Sequence, residues 1–127
     1  FFLGKINHLD LPKYYALANI YVASSIKDKY GNLESHTVAL FEAIASGLPT
    51  IATKLAVSKK YVVDGQNGYR VKDKDVKAIA QAIIKIINSD NIARMGNKGI
   101  SIAKQYLSYK YCANEYIKTF NSLLSMK

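Results

Sequence analysis

The feature that most constrains this chain is a helix that carries its own stop signal. Residues 32–53 read NLESHTVALFEAIASGLPTIAT, and from Val38 to Ala45 only Glu42 is polar. Gly47 suits the left-handed position that closes a helix, Pro49 blocks continuation, and the β-branched run from Thr50 to Thr53 then reads as a strand. Ser35 is the expected N-cap, with Ser35, His36 and Thr37 as the first turn. A helix apolar on nearly all sides is expected to be buried. Helix followed by buried strand, with no hairpin turn between, points to a parallel α/β layer.

Glu42 is the anomaly in that helix. An ionised carboxylate in apolar surroundings is costly unless something pairs with it, so Glu42 needs a partner. Glu34 lies eight positions upstream. If both were helical they would stand roughly 12 Å apart along the axis and about 80° apart around it, so both could face one groove. The helix N-terminus beside them offers unpaired N–H groups and the positive end of a dipole, which suits phosphate. Phosphates in the middle with hydroxyl-rich groups at either end describe a nucleotide-sugar, and carboxylates accept well from paired hydroxyls.

Elsewhere the pattern is consistent with the same class. Residues 1–4, Phe1-Phe2-Leu3-Gly4, read as a strand already inside a sheet, so the chain is expected to be part of a longer protein. Asp10 is a candidate N-cap with Pro12 in the first turn of a short helix, and residues 20–24 read as the next strand. A polar loop at 26–33 carries Lys27 and Lys29, which could reach phosphate or serve as ordinary loop lysines. Asp64-Gly65-Gln66-Asn67-Gly68 is a turn that tolerates positive φ, and Tyr69 opens a short strand. Three amphipathic helices follow over 75–87, 91–106 and 109–126, with Cys112 expected as a small core residue.

The residues Glu34, Glu42-Ala43-Ile44-Ala45-Ser46-Gly47-Leu48-Pro49 and Asp64-Gly65-Gln66-Asn67-Gly68 resemble the C-terminal domain of the group 1 glycosyltransferases of the GT-B fold. That family shows a Glu, seven residues, Glu-Ala-x-Ala-x-Gly-x-Pro, a strand, and then Asp-Gly-x-Asn-Gly. The resemblance implies a Rossmann-like parallel sheet flanked by helices, the C-terminal half of a GT-B fold, over residues 1–127. It implies transfer of a sugar from a nucleoside-diphosphate sugar, with retention at the anomeric carbon and no metal or other cofactor. Glu34 would hold donor-sugar hydroxyls and act as the catalytic carboxylate, and Glu42 would hold the ribose. Ser35, His36 and Thr37 would meet the diphosphate through their backbone amides, while Gly4 and Ile6 would line the base pocket. The missing partner is an N-terminal GT-B domain across the cleft, so this chain alone is expected to bind a nucleoside diphosphate weakly and transfer nothing.

The chain departs from the pattern in one loop. The usual Gly-Gly pair falls at Ala56 and Val57, and the usual Glu falls at Lys60. Lys60 could neutralise phosphate, or the change could mark a degenerate site.

Composition narrows the alternatives. Net charge is +9, with an excess of three positive charges up to Val71 and six beyond it. That balance suits an anionic membrane face or phosphorylated ligands. It also admits a basic non-enzymatic module, although no basic stripe interleaved with aromatics marks a nucleic-acid surface, and no nucleic acid is expected. Another GT-B nucleotide-sugar enzyme is a further alternative. One cysteine allows no internal disulfide, and no Cys/His cluster suggests a metal. A cytoplasmic protein is expected, with peripheral association at the inner membrane face as the analogy for a role in surface polysaccharide assembly.

Overall fold

The computed structural model describes residues 1–35 and 37–125. In chain order these form α1 (Leu11–Leu17), β1 (Tyr21–Ala23), α2 (Val38–Ala45), β2 (Thr50–Thr53), β3 (Gly68–Val71), α3 (Val76–Ile87), α4 (Ile92–Tyr106) and α5 (Tyr109–Leu124), with a 3-10 turn at His8–Asp10 ahead of α1. The three strands make one parallel sheet in the order β1, β2, β3, with Val22 opposite Ile51 and Ile51 opposite Tyr69. The expected α/β class, a parallel sheet flanked by helices, is what forms.

The central strand β2 is buried along its whole length. Its alternation divides the core into two layers. Ala52 joins Leu40, Ile44, Ala56, Val57, Val62 and Ala103 on the α2 side, while Ile51 joins Val71, Ala82, Ile86 and Met95 on the α3 side. Helix α4 serves both layers, Met95 in one and Ala103 in the other. Ala56 and Val57, where the resembled pattern has two glycines, are fully enclosed. Their side chains fill core volume.

The stop signal at the end of α2 works as the sequence predicts. Gly47 sits at φ +80, its N–H donates to the Ile44 carbonyl at 3.1 Å, and the Leu48 N–H donates to the Ala43 carbonyl at 3.1 Å. Those two bonds satisfy carbonyls that the helix end would otherwise orphan. The glycine turn has a second use, because α4 crosses here. A Cβ on Gly96 would overlap the Gly47 carbonyl, so Gly96 lets the two helices approach backbone to backbone.

The Asp64 to Gly68 turn is structural too. Asn67 is fully buried, its amide donates to the Tyr61 carbonyl at 2.9 Å and its Oδ1 accepts from the Val63 N–H at 2.8 Å. Asp64 Oδ1 accepts from the Arg70 N–H at 2.6 Å. The motif thereby locks the 54–67 connection onto the head of β3.

Four expectations are corrected. Residues 1–4 form no strand, and Phe1, Phe2 and Leu3 lie exposed: an apolar run becomes a strand only by pairing, and the described sheet ends at β1 on one side and β3 on the other. The N-cap of α2 is Thr37, whose Oγ accepts from the Leu40 N–H at 3.3 Å, so Ser35 lies ahead of the first turn. Helix α2 is buried on one face only, through Leu40, Ala43 and Ile44, whereas Val38 and Ala45 are exposed. Cys112 is exposed, because α5 buries none of its residues.

Candidate functional site

The site is built where α1, β1 and the tip of α2 converge. Along α1 only Leu11 and Tyr15, four residues apart on one helix face, are partly covered. That face leans on α2, and it delivers the partner that Glu42 needs. The Tyr15 hydroxyl donates to Glu42 Oε2 at 3.1 Å. His8, from the turn before α1, brings Nδ1 to 3.7 Å from Glu42 Oε1, an ion pair only when the imidazole is protonated. Burial, then the hydrogen bond to Glu42 and its negative charge, push the Tyr15 phenol from 10.0 up to about 12.

Tyr21 stands at the head of β1, next to Tyr15. Its phenol is raised first by burial, and also by the charges of both Glu42 and Glu34, while its hydrogen bond with Thr37 works in the opposite direction. Its edge packs against Tyr15, with ring centroids 6.4 Å apart at 67°. Glu34 itself lies outside α2, so the helical rise between the two acids does not set their separation. It is exposed on the approach to the tip, as is Ser35.

A cleft of about 240 Å³ opens beside Glu42, lined by His8, Leu11, Pro12, Tyr15, Ala45 and Ser46. It combines apolar walls with one fixed carboxylate. A wider, shallower depression of about 590 Å³ runs over the exposed 72–77 loop and meets neither glutamate.

The remaining predicted residues fall as follows. Thr37 caps α2, and the exposed Val38 leaves the tip facing solvent. His36 lies outside the described residues. Gly4 is exposed at φ +67 and Ile6 is half-buried, and neither lines the cleft beside Glu42. In the 26–33 loop, Asp28 accepts from the Tyr30 and Asn32 N–H groups at 2.8 Å each, and Lys29 lies over the Tyr30 ring at 4.9 Å.

Lys60 meets partners that neither sequence expectation named. Its Nζ donates to the Tyr111 hydroxyl at 2.9 Å and stands 4.5 Å from the Tyr106 ring centre and 4.8 Å from that of Tyr111. Its ammonium is engaged by tyrosines of α4 and α5. Among the described residues no cluster of three or more His, Cys, Asp or Glu could hold a metal ion, and no helix is long and apolar enough to cross a membrane.

Sequence reasoning missed His8, Tyr15 and Tyr21 as members of the site. The four-residue spacing of Leu11 and Tyr15 was the available signal for one of them. Nothing local marks Tyr21, because its role depends on the packing of α2 across the strand.

Comparison with known proteins adds the following. A family model described as glycosyl transferases group 1 matches residues 1–101. An uncharacterized glycosyltransferase of Methanocaldococcus jannaschii is 29% identical over 126 residues, covering 98% of this chain and 31% of the relative. The capsular polysaccharide biosynthesis glycosyltransferase CapM of Staphylococcus aureus is 28% identical over 121 residues, covering 94% of this chain and 30% of CapM. The chain thus spans under a third of the length of these relatives. Among solved structures, sucrose-phosphate synthase from Thermosynechococcus elongatus superposes with a TM-score of 0.79 at 24% identity, over 100% of this chain and 31% of that one. The C-terminal domain of a group 1 glycosyl transferase, LpcC, from Francisella tularensis gives 0.72 at 25% identity, over 85% of this chain and 53% of that one.

Proposed function

Taking as premise that this chain belongs to the group 1 glycosyl transferases, we propose that it is the donor-binding domain of an enzyme moving a sugar from a nucleoside-diphosphate sugar to an acceptor. The observation that carries this reading is Glu42, a carboxylate held by the Tyr15 hydroxyl at 3.1 Å on the wall of an open cleft. Glu34 precedes the α2 cap Thr37 by three residues, Glu42 stands on the second turn of the helix, and a cleft opens beside Glu42.

In this reading Glu42 accepts from the ribose hydroxyls and Glu34 from those of the donor sugar. In the same reading the diphosphate lies across the tip of α2 and accepts from the backbone amides of Ser35, His36 and Thr37. As the glycosidic C–O bond breaks, negative charge grows on the departing diphosphate. Fixed amide dipoles stabilise that charge without reorganising. Gly4 and Ile6 sit on the segment that would flank the base. The reading needs no metal.

The same premise supports a finer picture in which transfer retains the anomeric configuration. It requires a second domain opposite the tip, so this chain alone binds nucleotide weakly and transfers no sugar. CapM carries capsular polysaccharide biosynthesis in its name. Together with the +9 charge, this supports work on a surface polysaccharide at the inner face of an anionic membrane.

Calorimetric titration of the folded chain with UDP and with GDP tests the proposal. Heat with one of them, abolished or cut about tenfold in affinity by Glu42→Gln, is the expected result, since a hydroxyl-reading site loses its charged acceptor. Absence of binding to both by a folded sample overturns it.

A further inference from the structure

The two oxygens of Glu42 are not equivalent. Oε2 accepts from the Tyr15 hydroxyl at 3.1 Å, whereas Oε1 has His8 Nδ1 at 3.7 Å, too far for a hydrogen bond. The carboxylate is thus held by one oxygen and offers the other. The hydroxyl that holds it comes from α1, and the Tyr15 ring is itself braced by the edge of Tyr21. The cleft that Glu42 serves, about 240 Å³, is below the range of about 300–1,000 Å³ typical of whole-ligand pockets. It has room for one sugar ring rather than a complete donor, and its Leu11, Pro12 and Ala45 walls give that ring an apolar seat.

We propose that Tyr15 is a positioning residue that fixes Glu42 to read the vicinal hydroxyls of a ribose, so that this cleft distinguishes ribonucleotides from 2′-deoxyribonucleotides. The inference rests on the donor reading above. A glutamate side chain free to rotate must be ordered by its ligand, and that cost falls on affinity. Tyr15 settles the orientation before the ligand arrives. A site built to accept from hydroxyls then rejects an analogue lacking one, because its partly buried acceptor is left unmatched. Without the phenol, Glu42 loses the bond that fixes Oε2, and the ligand has to order the carboxylate itself.

The test is the ratio of affinities, which a purely structural contribution from Tyr15 would leave unchanged. UDP, 2′-deoxy-UDP, GDP and 2′-deoxy-GDP are titrated into the wild-type chain and into Tyr15→Phe, with Tyr14→Phe, the neighbouring phenol on the same helix, as control. The wild type and Tyr14→Phe should prefer the ribose form of the bound base by about tenfold. In Tyr15→Phe the preference should fall to about twofold, with ribonucleotide affinity reduced and deoxyribonucleotide affinity nearly unchanged. A preserved ratio in Tyr15→Phe, or equal weakening of both forms, overturns the inference while leaving the donor reading intact. Failure of the wild type to bind any of the four overturns both. Should Tyr15→Phe fail to fold, the tyrosine ring resonances of the wild type decide the matter. A Tyr15 shift with the ribonucleotide and none with its deoxy counterpart supports the inference, and identical shifts overturn it.

Discussion

Helices α2 and α5 both look from sequence like elements that ought to be covered, and they end in opposite environments. Helix α2 sinks Leu40, Ala43 and Ile44 between the sheet and α4. Helix α5 is twice as long and buries nothing, leaving Tyr116, Ile117, Phe120, Leu123 and Leu124 exposed. The difference lies in the neighbours. Against α2, the buried glycines Gly96 and Gly99 let α4 close onto the Gly47 turn and the Ile44 carbonyl. Against α5, only its first turns meet the body, where Tyr111 packs edge-on to Tyr106 at 5.6 Å and accepts from Lys60. An apolar face is a capacity for burial, and a matching surface has to realise it.

The comparison breaks most readily at the core. Truncating Ile44 to Ala removes a fully enclosed side chain from the α2 layer, and chemical denaturation should show a loss of about 3–4 kcal/mol. The parallel change Phe120→Ala on α5, a residue 61% exposed, should stay within about 0.5 kcal/mol. Comparable losses at the two positions would mean that α5 is covered in solution.

A smaller effect sharpens the α5 side. Replacing Lys60 by Met removes the ammonium that bridges Tyr106 and Tyr111. Amide exchange should then accelerate severalfold across residues 109–124, with the rest of the domain and its melting temperature nearly unchanged. Uniform acceleration through α2 and α4 would show that Lys60 supports the core instead.

The smallest effect lies at the edge of α2. Because the Tyr15 phenol is held at about 12 against an ordinary 10.0, its bond to Glu42 contributes fully below pH 10 and is lost as pH rises through 12. The stability gap between the wild type and Tyr15→Phe should therefore be constant up to about pH 10 and close by pH 12, read from melts across that window. A gap that persists past pH 12 would place the phenol's contribution in packing rather than in its proton.

Much of the fold was legible locally. Gly47 and Pro49 ended α2 where they stand, the β-branched run became β2, and Asp75 caps α3 by accepting from the Ala78 N–H at 2.9 Å. The candidate site was only half legible. Glu34 and Glu42 announce themselves by spacing and by the cost of an acid in an apolar helix, and the need for a partner to Glu42 followed from that cost. The partner's identity did not, because Tyr15 is 27 residues away and its hydroxyl looks from sequence like one more aromatic contact. The partner of Lys60 was hidden for the same reason, since Tyr111 lies 51 residues further on.

The sequence by itself determined what short-range physics can determine: which residues tolerate positive φ, where a helix must stop, and which side chains prefer to leave water. Tertiary structure alone decided that Thr37 rather than Ser35 caps the central helix, that residues 1–4 stay exposed, and that Glu42 is held by a phenol from α1. Those outcomes turn on whether a distant surface of the right shape arrives. Hydrogen bonds and close packing reach only a few ångströms, so the fold must first bring their partners together.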